Sequence, residues 1–567
     1  MTSHKKNSLA TTSTCHEFVA ARDFLLCHRD DYETTYRDFR WPRPDRFNWA
    51  IDYFDIMAEN NSHSALRIVQ AEGLKSFSFA EMSRQSNKLA NYLQSLGVKR
   101  SDVILIMLGN EPSLWLAILA AMKLGAVVVP TSLLMTSHDL TDRINRGRVS
   151  CIITRHDHIE KFTGIADHCT RICTGDAPGW FAFDDYAAAS SSFIPQSETC
   201  ALDPMLLYFT SGTTAQPKLV IHSHNYPIGS LSTMYWIGIR PGDVHLNISS
   251  PGWAKHAWSS FFAPWNAEAA VLVVDEQRFN PKTILEVIRD EDVTTLCAPP
   301  TVWRMLIQEN IGDYRNKLRE AVSAGEPLNP EIITRVQKEW DVTIRDGYGQ
   351  TETTAQIGNT PGQKVTAGSV GKPLPGYRIR ILNEQDEDAT EGEVAISLNP
   401  PPAGLMIGYL QPDGTVSPLQ DDVYRTGDLA SIDDDGSLTF VGRTDDVFKA
   451  SGYRISPFEL ESLLLEHPCI AEAAVVPAAD PVRTTVPKAF VRLAVGYTSD
   501  RKTALDIFQH IKERISPYKK VRRLEFCDLP KTMSGKILRS QLRRQEAANN
   551  GQRKECEFYE SDFPELK

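Results

Sequence analysis

The chain has 567 residues, 61 Lys and Arg against 72 Asp and Glu, and a hydrophobic share of 42%. That length exceeds one folding unit, and the apolar share excludes a wholly disordered or fibrous chain. A formal charge of −11 argues against a protein that coats nucleic acid, which needs a net basic footprint.

The first residues (MTSHKKNSLATTSTC) are polar, Ser/Thr-rich and without an apolar core, so a disordered tail is expected there rather than a secretory signal or a transit peptide. From about Phe77, short β-branched runs alternate with helical periods. VILIML (103–108) precedes a helix-like Ser113 to Leu124 and then AVVVP (126–130). AAVLVV (269–274) precedes a helix-like Pro281 to Arg289 and then VTTLCA (293–298). Apolar strands joined by crossovers of helix length predict parallel sheets buried on both faces. The most apolar stretch, Leu114 to Val129, is broken by Lys123 and Gly125 and is too short to span a bilayer.

Between 377 and 442 the texture changes to YRIRIL, EVAIS and SLTFVG, set apart by acidic turns, which predicts an antiparallel β subdomain. After a boundary near Asp445, Ser456-Pro457-Phe458-Glu459 reads as a capping box opening a helix through Leu465. Strands AEAAVVPA and KAFVRLAV, a helix from about Thr503 to Arg514 and strand RRLEFC complete a small α+β domain. The expected division is 1–74, a partly ordered N-terminal extension; 75–444, the large α/β body; 445–548, a C-terminal α+β domain; and 549–567, a tail. The ten cysteines include no Cys-x-x-Cys pair, which suits a reducing compartment. The cluster of His156, His158, His168, Cys169 and Cys173 matches no common zinc spacing.

Four stretches carry chemistry. In LLYFTSGTTAQPKLVIHSH (206–224), a strand runs into Thr210, Ser211, Gly212, Thr213, Thr214 and Lys218, a loop of hydroxyls, glycine-freed amides and one cation that would cradle a polyphosphate. It lacks the Walker pattern. In Asp346-Gly347-Tyr348-Gly349-Gln350-Thr351-Glu352, Tyr348 could stack on a base, Thr351 could bond a phosphate, and Glu352 is a hard oxygen ligand suited to Mg²⁺. Asp428 is a carboxylate of the kind that binds ribose hydroxyls, and it is followed by Arg443, Asp445, Gly452, Tyr453 and Arg454. Pro530 to Lys536 puts a lysine on a glycine-flexed loop.

In order and wording the four resemble the acyl-adenylate-forming superfamily of acyl-CoA synthetases, non-ribosomal adenylation domains and firefly-type luciferases, from about residue 75 to 548. Gly252-Trp253-Ala254-Lys255 and Glu466-His467-Pro468 resemble medium-chain acyl-CoA synthetases. The resemblance implies that the 210–218 loop holds the ATP β- and γ-phosphates and that Tyr348 stacks on adenine, beside Asp346, Gly347, Gly325 and Glu326. Thr351 would meet the α-phosphate, Glu352 would hold Mg²⁺, and Asp428 and Arg443 would bind the ribose. Lys536 would bridge the acyl carboxylate and the α-phosphate, and Trp253 and Gly349 would belong to the acyl pocket. It further implies a mobile C-terminal domain hinged at Asp445, with Gly452, Tyr453 and Arg454 facing CoA.

The expected reaction joins a medium-chain, branched or aromatic carboxylic acid to CoA with ATP; the alternative acceptor is a carrier protein. Ala215 and Leu219 stand where many relatives of this kind carry glycine. From Lys512 to Arg544, eleven basic residues against three acids give a local excess of eight, which would steer the phosphates of CoA. No nucleic-acid partner and no membrane span are expected; homo-oligomerisation is left open. The expected location is cytoplasmic, with an organellar matrix as the alternative.

Overall fold

A computed structural model describes residues 3–566 except 211–216, 277, 327, 367, 451–452, 481–482, 532–535 and 550–551. Within it the chain divides into two compact units, Met1–Ile379 with Ser397–Tyr424, and Arg380–Ile396 with Arg425–Lys567.

The large unit is built on two sheets. In the first, strands Pro204–Thr210, Val127–Pro130, Val103–Met107, Cys151–Arg155, Thr170–Thr174 and Phe181–Ala182 run parallel in that order. Strand Lys218–Ser223 pairs antiparallel beside Pro204–Thr210. In the second, Ala270–Val274, Val244–Asn247, Thr295–Ala298, Glu320–Ala324 and Ile344–Gly349 are parallel neighbours. The strands are continuous apolar runs because both faces are covered: Ile104, Leu105, Val128, Leu272 and Leu296 are buried. The crossover helices start and stop where the side chains dictate. Helix Pro112–Leu124 opens on a proline and ends at Gly125, whose φ of 69° supplies the left-handed terminus.

The N-terminal residues depart from the expected disordered tail. Ser3–Cys27 is a helix, and Phe18 and Leu25 on it are buried. Arg22 Nη1 pairs with Glu268 Oε1 at 2.7 Å, and the Tyr32 hydroxyl donates to Pro373 O at 2.9 Å. Phe18 and Leu25 are apolar anchors that dock the later turns of this helix once the body supplies a surface.

The second unit holds a four-stranded sheet of its own and further antiparallel strands. Val423–Ile432 and Leu438–Arg443 pair antiparallel, with Asp428 opposite Arg443. Further on, Ile470–Asp480 pairs antiparallel with Thr484–Leu493, which pairs parallel with Arg523–Phe526. Strand Glu557–Tyr559, beyond residue 548, closes that sheet's edge. Helix Pro457–Leu465 begins as expected, with Ser456 Oγ accepting from the Glu459 amide at 3.1 Å. The capping box is only half made, however. The Glu459 carboxylate is drawn instead to Lys519 Nζ, 2.8 Å from both oxygens.

No described helix is long and apolar enough to cross a membrane.

Candidate functional site

The C-terminal ends of the parallel strands are where an open α/β sheet exposes backbone amides and side chains to a ligand. In the large unit, Pro204–Thr210 and Lys218–Ser223 form a hairpin in which Thr210 lies opposite Lys218. Ser211, Gly212, Thr213 and Thr214 at its tip lie outside the described residues. Lys218 Nζ sits 5.1 Å from the centre of the Tyr409 ring, so its charge is held over an aromatic face.

The second sheet delivers the other groups of this unit. Gly325, at φ 103°, and the half-buried Glu326 follow strand Glu320–Ala324. On the next strand, Asp346 is buried and accepts from the Gly347 amide at 3.0 Å. Desolvation raises its carboxyl to a pKa of about 8, against lowering by backbone amides. Asp346 is therefore mainly neutral at physiological pH. Gly347 is needed for packing, since a Cβ there would come within 2.3 Å of the buried Trp236 ring. Tyr348, opposite Ile357, is partly exposed.

The turn after this strand is fixed by residues that sequence reasoning missed. His222 Nε2 lies 2.7 Å from Thr351 O, although the two are 129 positions apart. A carbonyl can only accept, so Nε2 carries the proton, and burial holds the ring neutral with a pKa of about 4. The Tyr409 hydroxyl donates to Glu352 Oε1 at 3.2 Å, and the Met406 amide donates to Glu352 O at 2.8 Å. The Tyr424 hydroxyl reaches Gln350 Oε1 at 3.2 Å. Only the histidine had a local signal, standing within an apolar strand.

In the same unit, Trp253 lines a narrow, mainly apolar cavity with Leu114, Ile118, Tyr208, His256 and Phe261. Gly349 is not among its lining residues. Two polar atoms on its buried walls, the Tyr208 hydroxyl and His256 Nε2, have no hydrogen-bond partner. Burial pushes His256 down to about 3, so it too is neutral.

In the second unit, Asp428 is buried and Arg443 Nη1 lies 3.5 Å from its Oδ1. Arg443 Nε is also 3.5 Å from Asp445 Oδ1. Arg543 donates to Asp445 O and pairs with Asp446 at 2.8 Å, which anchors the segment just past Arg443 to helix Arg539–Ala548. Tyr453 is about half exposed and stacks on Tyr518 at 4.3 Å. Gly452 and the Arg454 side chain lie outside the described residues. Lys536 is exposed, directly before Ile537, which bridges to Lys531.

The basic run from Lys512 to Arg544 is not the bare patch its local count suggested. Lys519, Arg522, Arg523, Lys531, Arg539 and Arg543 all pair with acids from Asp446 to Glu472 or from Glu546 to Glu560. A window along the sequence counts charges but not their tertiary partners.

A family model described as AMP-binding enzyme matches residues 56–410, and one for the AMP-binding enzyme C-terminal domain matches 459–536. The chain is 41% identical over 516 residues to 4-hydroxybutyrate–CoA ligase 1 of Metallosphaera sedula, covering 88% of this chain and 91% of that one. It is 37% identical over 541 residues to the mitochondrial acyl-coenzyme A synthetase ACSM3 of Rattus norvegicus, covering 91% and 93%. A crystal structure of an acyl-CoA synthetase from Brucella canis aligns with a TM-score of 0.71 at 31% identity, over 92% of this chain and 100% of that one.

The chain belongs to the AMP-binding enzyme family. Within it, the protein is an AMP-forming acid–thiol ligase, an ATP-dependent acyl-CoA synthetase.

Proposed function

We propose that the acid is medium-chain, branched or aromatic and that its chain enters beside Trp253, where the apolar side chains leave a space of about 10 Å³ and must part to admit it. The observation that carries this reading is the cavity's wall of aliphatic and aromatic side chains, which would desolvate an apolar chain and leave a longer polar molecule unpaired. A second reading has its own support. The unpartnered Tyr208 hydroxyl and His256 Nε2 would bond a hydroxyl on the acid, and the relative from Metallosphaera sedula is named for a hydroxy acid.

A carboxylate is a poor electrophile. Its oxygen attacks the α-phosphorus of ATP, pyrophosphate leaves, and the acyl-AMP carries a carbonyl activated by a good leaving group. The CoA thiolate then attacks that carbonyl carbon and AMP departs. Thr210, Lys218 and residues 211–214 would bind the β- and γ-phosphates, Thr351 the α-phosphate, and Asp428 with Arg443 the ribose. Adenine would lie on Tyr348, beside Gly325, Glu326 and Gly347, with its amino group at Asp346. A half-buried carboxylate with hard oxygen donors fits Mg²⁺, so Glu352 would hold the ion, which when bound neutralises phosphate charge. His222 would act by positioning Thr351 through its backbone.

Lys536 would supply positive potential where charge builds in the first step. Thioester formation would draw on Gly452, Tyr453 and Arg454, with Asp445 the hinge between the two arrangements. The domain division at 444 and 445 rests on that reading. The proposed location is cytoplasmic, with a mitochondrial matrix as the alternative given the mitochondrial relative.

The test is hydroxamate trapping with acetate through dodecanoate, benzoate and 4-hydroxybutyrate, followed by product analysis with CoA or a carrier protein. Preference for butyrate or longer apolar acids over 4-hydroxybutyrate supports the first reading, and the reverse supports the second. Acylation of the carrier protein but not CoA would overturn the choice of acceptor.

A further inference from the structure

At the opposite end of the second sheet, in the large unit, lies a concavity that the reaction above does not use. The strand that leads into Gly325 and the one bearing Asp346 and Tyr348 begin at Glu320 and Ile344. Around those N-terminal ends, Arg29, Arg319, Glu320, Arg345 and the loop 361–365 line a cavity of about 470 Å³. Gly325 lies five residue steps beyond Glu320, which at about 3.3 Å per residue is roughly 16 Å.

The lining is cationic. Arg29, Arg319, Arg345 and Lys364 face a single lining acid, Glu320. Asp243 accepts from Arg319 at 2.9 and 2.8 Å, and Asp30 pairs with Arg29. Adding the nearby Arg240 still leaves five cations against three acids. Arg345 is consumed structurally: it donates to the carbonyls of Trp236, Ile237 and Asn359 and to Glu320 Oε2. It therefore closes the last turn of helix Tyr226–Ile237.

Arg29 also pairs with Glu320 and Arg319 is held by Asp243, so the net excess of two positive charges is shared among Arg29, Arg319 and Lys364. Arg319 is about one-third exposed and Lys364 is exposed, so both can meet a molecule in the cavity. Burial, then repulsion from Arg240, Arg345 and Arg319, lowers Arg29 to about 10 despite Asp30. Although each lining arginine has a carboxylate partner, five cations against three acids leave the space net positive, which favours an anion in it. The space matches a small metabolite, since ligand sites commonly run from about 300 to 1,000 Å³.

We propose that this cavity binds a phosphorylated small molecule, its phosphate or diphosphate group set against Arg29, Arg319 and Lys364, at a place separate from the catalytic strand ends. Arginine and lysine together give such a group a planar fork and a point charge.

The test is amide hydrogen exchange on the full chain with millimolar inorganic pyrophosphate and, in a second arm, ADP. Expected is slowed exchange at 359–366 and around Arg29, lost in Lys364→Glu and restored in Lys364→Arg, with pyrophosphate exchange of the enzyme unchanged. Protection by pyrophosphate alone would identify a free anion as the ligand, and protection by ADP a nucleotide. Protection confined to 210–218, or equal protection of 359–366 in Lys364→Glu, would overturn the proposal. Because Lys364 is exposed on a loop, its substitution leaves the core packing untouched.

Discussion

The two units hold their polar groups in different ways. Around its strand-end site the large unit sets neutral or single polar groups on buried strands, Asp346 against a backbone amide and His222 against a carbonyl, and it keeps its buried ion pairs, such as Arg345–Glu320 and Lys123–Asp55, elsewhere. The smaller unit gathers opposite charges. Lys488 is fully buried, with Nζ within 2.7, 2.7 and 3.0 Å of Glu525, Glu546 and Glu557, and Arg523 shares two of those acids. A parallel core supplies enough apolar contact to fix single polar atoms. A small sheet with helices at its margins uses reciprocal ion pairs to fix its edges. The contrast predicts that the smaller unit is sensitive to loss of one charge and the large unit to volume and protonation.

The largest effect should come from Lys488→Met, which leaves three buried carboxylates without their common cation. Removing one partner of a buried pair costs about 3–5 kcal/mol. Urea denaturation should show that loss in the smaller unit; a change below 1 kcal/mol would mean the cluster is not cohesive. Next, Lys536→Ala should slow adenylation by about 10²–10³, read as ATP–pyrophosphate exchange, with the melting temperature kept. Wild-type exchange would remove Lys536 from the reaction.

Gly347→Ala should destabilise the large unit by about 1–3 kcal/mol, because the added methyl overlaps Trp236. Unchanged stability would show that the ring can shift. Asp445→Pro should slow thioester formation more than adenylation, since a fixed φ restricts a hinge. Equal losses in the two half-reactions would place the hinge elsewhere.

A further prediction concerns the pH profile of the large unit's stability. The Asp346 carboxyl has an ordinary value of 3.8 and stands at about 8 when folded. Between those values the folded state holds a proton the unfolded chain has lost, so stability falls as pH rises through the window. His222 and His224 are depressed to about 4 from 6.5. Below 6.5 the unfolded chain binds more protons there, so stability also falls as pH drops toward 4. Asp346→Asn should flatten the alkaline limb and leave the acid limb in place. Thermal midpoints across pH 4 to 9 that keep their alkaline slope in the variant would contradict the assignment.

Much of the fold was legible because it is written in local periodicity. VILIML, AAVLVV and the Ser456-Pro457 helix start stand within a few residues of the observed elements; the run from Asp346 to Glu352 was recognisable by its chemistry, though not as the end of a strand. The partners of those residues were not legible. His222 fixes the Thr351 carbonyl, Tyr409 holds Glu352, and Glu546 and Glu557 neutralise Arg523 and Lys488 from distant positions. The N-terminal helix has the same explanation: Phe18 and Leu25 look idle in a polar segment until a surface is there to bury them.

The sequence by itself determined the alternation of buried strand and covering helix and the order of the nucleotide-site motifs, because apolar spacing and short loop chemistry act within a dozen residues. Only the tertiary structure decided which charges stay exposed. The excess of basic residues before the C-terminus is mostly paired, while a net positive cavity lies in the large unit of an acidic chain. Electrostatic energy depends on distance in space and on burial, and neither can be counted along the chain.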